Sequence, residues 1–190
     1  MIGSAKGGGI IGQLFRPDPA MAIARRLYEA VVAQARQPVF FAEWEVPDTV
    51  DGRFETVTLH MHLLLRRLKD GGPETTSLAQ ALFDVMFADM DASLREMGAG
   101  DLGVGRRVKQ MATGFYGRVA AYDAGLAGGA AVLAAALRRN LFGTVSPSPE
   151  SLAAMAHFVT RAAAALARQP LERIAGGTVA FAATKDGGGG

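Results

Sequence analysis

No cysteine occurs anywhere in the 190 residues. That absence removes disulfide frameworks, thiolate catalysis and Cys-ligated zinc or iron-sulfur clusters, and it leaves the sequence indifferent to redox compartment. Long apolar runs are missing as well. The longest uncharged stretch in the body of the chain, Ala124 to Leu137, has 14 residues, mostly Ala and Gly. A spanning helix needs about 20 apolar residues, so no transmembrane segment is predicted. Residues Met1 to Phe15 carry one Lys and no Arg, which suits neither a secretory signal nor an Arg-rich transit peptide; the expected location is the cytoplasm. Charge of one sign is not in excess either. The net charge of +2 gives no composition-level argument for a nucleic-acid partner. Alternating runs of strand length and internal repeats are also absent.

What is present is a globular composition, 49% hydrophobic and 20% charged, enough for one packed core. Glycine-rich ends at Gly3 to Gly9 and Gly187 to Gly190 have nothing to bury, so residues 1–17 and 175–190 are expected to be flexible around a folded part at 18–174. Asp18-Pro19 reads as an N-cap with Pro at the first helical position, followed by Ala24, Leu27, Tyr28, Val31, Val32 and Ala35 at helical spacing. After an aromatic segment at Val39 to Trp44, a second helix carries Phe54, Val57, Met61, Leu64, Leu65 and Leu68 and stops at Gly71-Gly72-Pro73. Ser77 to Met97 has the strongest pattern: Phe83, Met86, Phe87, Met90, Leu94 and Met97 share one arc, with Leu78, Leu82 and Val85 opposite. It is predicted to be the central, most buried helix. Further helices are expected from Asp101 as cap through Tyr122, over Gly129 to Leu141, and from Pro149 to Leu166. The predicted fold class is all-α, a single domain of about six to seven helices.

Three patterns suggest chemistry. Gly98-Ala99-Gly100-Asp101-Leu102-Gly103 satisfies G-x-G-x-x-G, but a dinucleotide fingerprint needs a strand before its glycines and here a helix precedes them. The reading is a helix connection. His60 and His62 lie two apart, about 200° around a helix, so one metal cannot take both imidazoles; they are expected on the helix surface or facing a partner. Asp84, Asp89, Asp91 and Glu96 place acid on the predicted central helix, with Gln80, Asp84, Asp91 and Arg95 forming a polar stripe, and Arg106, Arg107, Lys109 and Arg118 place base on the next helix. These stripes either pair with each other or dock a partner. Asp84, Asp91 and Arg95 are expected to be partly buried and to pair locally, whereas Arg106, Lys109 and Arg118 are expected to keep their heads in water. No hydroxyl sits in a His-plus-acid arrangement.

Several segments read in order carry a resemblance. They are Leu27-Tyr28, Val31-Val32 and Gln34-Ala35-Arg36, then Val46-Pro47-Asp48-Thr49-Val50-Asp51-Gly52-Arg53-Phe54, then the densest block, Gln80 to Asp91 with Leu94-Arg95-Glu96-Met97-Gly98 and Gly100-Asp101-Leu102. Val108-Lys109, Phe115-Tyr116-Gly117-Arg118 and Arg139-Asn140-Leu141-Phe142-Gly143 complete it. The chain resembles the ubiquinol-cytochrome c reductase chaperone family. That resemblance implies a helical, non-enzymatic assembly factor for respiratory complex III that binds newly made cytochrome b. Mitochondrial members of that family act with a small partner protein and associate with the ribosome, which makes these two the candidate further partners here, and attachment to the membrane is expected to be peripheral, at its inner face. No catalytic, cofactor or metal residue and no DNA partner is expected. The candidate partner-binding residues are Arg53, Asp84, Asp91, Arg95, Glu96, Asp101, Arg106, Lys109, Tyr116 and Arg118. Two other readings stay open: a ribosome- or RNA-binding module using the basic helix, and a small haem or metal carrier or enzyme using His60, His62 and the acidic stripe.

Overall fold

Val46 to Phe54 shows how sequence becomes architecture here. Thr49 is extended and its hydroxyl accepts the Gly52 N–H at 3.1 Å, a cap that satisfies one of the free donors at a helix start. Asp51 in the first turn and Arg66, Arg67 and Lys69 in the last turn complement the helix dipole. Gly52 is required for a different reason: a Cβ there would lie 1.9 Å from the Pro47 carbonyl oxygen, so the preceding loop folds directly against the first turn.

In the computed structural model, residues 19–184 are described except Met97, Ala99, Gly100 and Thr144; the side chains of Asp101 and Leu102, and the expected cap Asp18, lie outside the described residues. The elements are α1 (Pro19–Ala35), α2 (Pro38–Ala42), α3 (Val50–Lys69), α4 (Pro73–Glu96), α5 (Asp101–Gly128), α6 (Ala130–Leu137) continued by a π-helical turn (Arg138–Phe142), α7 (Pro149–Ala167) and α8 (Leu171–Ala175). The fold is all-α, with no strand among the described residues. Gly129, at φ 87°, breaks α5 from α6 in a left-handed conformation that glycine adopts without penalty.

The central helix is α3, not Ser77 to Met97 as the pattern predicts. Eleven of the 20 residues of α3 are buried, against seven of the 24 in α4. The reason lies in the neighbours. Leu59 and Leu63 enter a cluster with α2, α6 and α7, while Met61, Leu64 and Leu68 enter a second cluster with α1 and α4. Helix α4 packs on α1 and α5, leaving Phe83, Val85 and Phe87 half-buried and Asp84 and Asp89 exposed. It also begins earlier than expected, at Pro73, where the Thr75 hydroxyl donates to the Leu68 carbonyl across the turn.

Covering α3 on two sides also overturns the surface placement of its histidines. His60 and His62 are 0% and 1% exposed. His60 sits among the rings of Phe40, Phe158 and Phe181 at 5.3–5.8 Å, while His62 lies against Tyr122 at 5.5 Å. Their separation around the helix sends them into different surroundings, and both are interior. The folded part likewise continues past the expected end at Ile174, because Val179, Phe181 and Ala182 pack against the core.

Two outcomes test this arrangement. Gly52→Ala forces a backbone displacement at Pro47 and is expected to cost about 2–3 kcal/mol in chemical denaturation. His60 Nδ1 lies 2.7 Å from the Thr56 carbonyl, and burial, opposed by that hydrogen bond, pulls its pKa down to about 4. The unfolded chain, near 6.5, therefore takes up the proton first as pH falls. The stability from keeping His60 neutral is complete above pH ~6.5 and declines by roughly 3 kcal/mol toward pH ~4. His60→Gln should flatten the pH dependence of the denaturation midpoint across that window.

Candidate partner-binding surface

Between residues 102 and 122 the chain has no acidic residue, yet it carries Arg106, Arg107, Lys109 and Arg118. Helix α5 divides these bases between two faces. Arg118 donates through Nε to Glu55 Oε2 at 2.6 Å and through Nη2 to Glu55 Oε1, with the two side chains 24% and 10% exposed. Arg107 Nη2 reaches Asp51 Oδ1 at 3.0 Å on the surface. Farther along, Asp123 of α5 accepts from His62 Nε2 at 2.9 Å and from Arg66 Nη1 at 2.7 Å. A polar seam thus joins α3 to α5. Intramolecular pairing does occupy part of the basic stripe, but its partners are the acids of α3 rather than the acidic stripe of α4.

Burial governs the electrostatics of this seam. It pushes the Glu55 carboxyl up, and the Arg118 hydrogen bonds only partly oppose the rise. It pulls the His62 imidazole down, against the Asp123 hydrogen bond, so the neutral ring donates to the carboxylate. At Asp123 burial again pushes upward, but hydrogen bonds from His62 and Arg66 outweigh it and the carboxyl falls below its ordinary range. Burial, followed by the nearby Glu55 charge, raises the Tyr122 phenol well above its usual value. The Tyr122 and Thr58 hydroxyls are buried and have no partner among the described residues.

Two clefts open along α5. Arg106 and Arg118 line one of about 520 Å3 with Asp51, Phe54, Arg107 and Met111. Tyr116, 63% exposed, stacks on Phe83 at 5.8 Å and 29°, at the rim of a second cleft of about 630 Å3 that also includes Phe115, Val119, His62 and Arg66. Arg106 and Lys109 are exposed, with no ion-pair partner among the described residues.

The candidate residues therefore separate. Arg106, Tyr116 and Lys109 present a solvent-facing surface on α5. Arg118 belongs to the seam, which corrects the expectation that its head stays in water. Arg53 is exposed, pairs with Asp48 at 2.6 Å and lies over the Phe41 ring. Asp84 is exposed and accepts from Gln80 at 2.8 Å, and Asp91 pairs with Arg95 at 2.6 Å with side chains 37% and 49% exposed. Local pairing is present, but the expected burial of Asp84 and Arg95 is not. Glu96 is exposed, and Asp101 opens α5 with its side chain outside the described residues. Sequence reasoning missed Asp51, Glu55, Arg66, Tyr122 and Asp123, and placed His62 on the surface rather than in the seam. Their signal was available as helical spacing, since Glu55, His62 and Arg66 share one face of α3 while Arg118 and Tyr122 stand four apart on α5.

Comparison with known proteins fits this scaffold. The ubiquinol-cytochrome C chaperone family model matches residues 42–181. The chain is 27% identical over 138 residues to ubiquinol-cytochrome-c reductase complex assembly factor 1 of Xenopus laevis, covering 73% of this chain and 69% of that protein. The same match to the Homo sapiens assembly factor, again 27% over 138 residues and 73% of this chain, spans 46% of its length. The matched region is thus about half of the human protein. The crystal structure of the Cbp3 homolog from Brucella abortus superimposes with a TM-score of 0.79 at 42% identity, covering 92% of this chain and 98% of that one.

The seam is tested by comparing a single with a paired replacement. Glu55→Ala leaves Arg118 partly buried without its partner and should cost about 3 kcal/mol in urea denaturation. Glu55→Met combined with Arg118→Leu should recover most of that loss, because replacing both charges avoids stranding one of them.

Proposed function

This chain belongs to the ubiquinol-cytochrome C chaperone family, and from that premise we propose that it holds newly made cytochrome b during assembly of respiratory complex III. The observation that carries the reading is the outer face of α5. There an exposed Tyr116 stacked on Phe83 stands on the same helix as Arg106 and Lys109, two cations that the α3 seam leaves unused. Such a face gives a hydrophobic client apolar contact through ring surfaces and long aliphatic stems without a deep apolar pocket, so the client can be released. The role needs binding and release rather than catalysis. No helix of the described residues is long and apolar enough to cross a membrane. Delivery of the client would then use peripheral contact at the cytoplasmic face.

The test is Arg106→Glu with Lys109→Glu, and Tyr116→Ala separately. All three positions are exposed, so stability should change by no more than about 0.5 kcal/mol. Cytochrome b recovered by crosslinking after short pulse labelling should fall several-fold. A folded charge-reversal variant that still supports normal complex III would remove α5 as the docking face. Client-independent binding to ribosomes that weakens steeply with salt would assign the same cations to RNA phosphates instead.

A further inference from the structure

After α8 residues 176–184 run across the helices without regular secondary structure, and side chains of α1, of α7 and just beyond α7 hold them by the backbone. Arg26 of α1 donates to the Gly176 carbonyl at 3.1 Å. The Gln169 amide, just beyond α7, donates to the Ala180 carbonyl at 2.7 Å and accepts the Ala180 N–H at 2.9 Å, the two-point pairing that a neighbouring strand would supply. Gln34 of α1 donates to the Ala182 carbonyl at 3.3 Å and Arg161 of α7 to the Ala183 carbonyl at 2.6 Å. None of these contacts reads a side chain. Recognition of side chains comes from alternation: Val179 and Phe181 turn inward against the core while Thr178 and Ala180 are exposed. Phe181 meets the His60 ring edge-on at 5.6 Å. Beyond it, Thr184 borders a small cleft of about 140 Å3 lined by Trp44, Ala154, His157 and Phe158.

We propose that this groove is an extended-peptide site, occupied in cis by residues 176–184 and able to take an apolar segment of another polypeptide in their place. Its ligand is read from its present occupant: an extended stretch with a β-branched or aliphatic residue and an aromatic residue two positions apart, uncharged at both, bound in register through its backbone. This is peptide recognition by backbone pairing with pockets for alternate side chains. Exchange requires only local release of residues 176–184 from the helices. Val179 and Phe181 are also only half-buried, unlike the residues of α3, and local release of such a segment takes less free energy than global unfolding. The inference stands independently of whether α5 docks a client.

The experiment uses the full chain carrying Val179→Gly with Phe181→Gly and a fluorescent peptide of the sequence Thr-Val-Ala-Phe-Ala-Ala-Thr, copied from residues 178–184. The variant should bind the peptide at least about tenfold more tightly than the unaltered chain, whose groove is open only in a minor fraction of molecules. Replacing the peptide's Phe by Gly, or adding Gln169→Ala to the protein, should each weaken binding several-fold. A variant that stays helical and ignores the peptide, or binds the Gly-substituted peptide equally, overturns the proposal. Dimers of the unaltered chain that dissociate when the peptide is added would assign the groove to a second copy and overturn it as a site for other polypeptides. If the variant unfolds, hydrogen exchange of the unaltered chain decides. An Ala180 amide exchanging well ahead of the α3 core supports release of the segment, and exchange only together with that core overturns it.

Discussion

Everything in this fold follows from the covering of α3 on two opposite sides. A helix buried on one face can send its polar residues to water, but one enclosed between two apolar clusters cannot, and the sequence of α3 is not apolar throughout. Glu55, Thr56, Thr58, His60 and His62 are all inside. All but Thr58, whose hydroxyl has no partner among the described residues, find a specific answer to their desolvation. Thr56 returns its hydroxyl to the Arg53 carbonyl, His60 gives its N–H to Thr56, Glu55 takes Arg118, and His62 takes Asp123. The two imidazoles stay neutral because charging either would leave a cation in the interior.

Those answers determine what α5 has left to offer. Its inner side is committed residue by residue to α3: Arg107 and Arg118, eleven residues or about three turns apart, meet Asp51 and Glu55, while Asp123 meets His62 and Arg66 from farther round the helix. Arg106 and Lys109 fall outside this seam and form no ion pair among the described residues. Arg106 and Lys109 lie beyond the first turn of the helix, where the dipole gains nothing from them, and no described carboxylate pairs with them. A residue type that is unhelpful for its helix and unused by its neighbours is the physical content behind assigning this face to a partner.

Much of this was legible before any coordinates. The helices are legible through spacing and Gly-Pro punctuation, and Gly98 does follow a helix. The densest hydrophobic pattern, however, did not mark the most buried helix. Amphipathic periodicity measures how sharply one face differs from the other, so it favours α4, which keeps a wet face, over α3, whose apolar and polar residues are interior together. The same gap hid the histidines and Glu55. Their burial is a property of what lies opposite them, and only the placement of α2, α5 and α7 around α3 supplies it. The C-terminal segment was missed for a related reason: Val179, Ala180, Phe181 and Ala182 make too short an alternation to stand out, and their groove exists only once α1, α3 and α7 are assembled.

The charge stripe of α4 shows how burial alters the meaning of an ion pair. Asp91 and Arg95 meet at i, i+4 as their spacing implies, but with more than a third of each side chain in water, such a pair contributes only about 0.3–0.5 kcal/mol. That is an order of magnitude below the cost of breaking a buried pair. The buried pairing expected of Asp91 is found instead at Glu55, which has the same partner chemistry and the burial that Asp91 lacks. Helix α4 is left with Asp84, Asp91 and Glu96 on accessible surface, where their charges can change with little effect on stability. Any constraint on them would come from what they touch outside the chain.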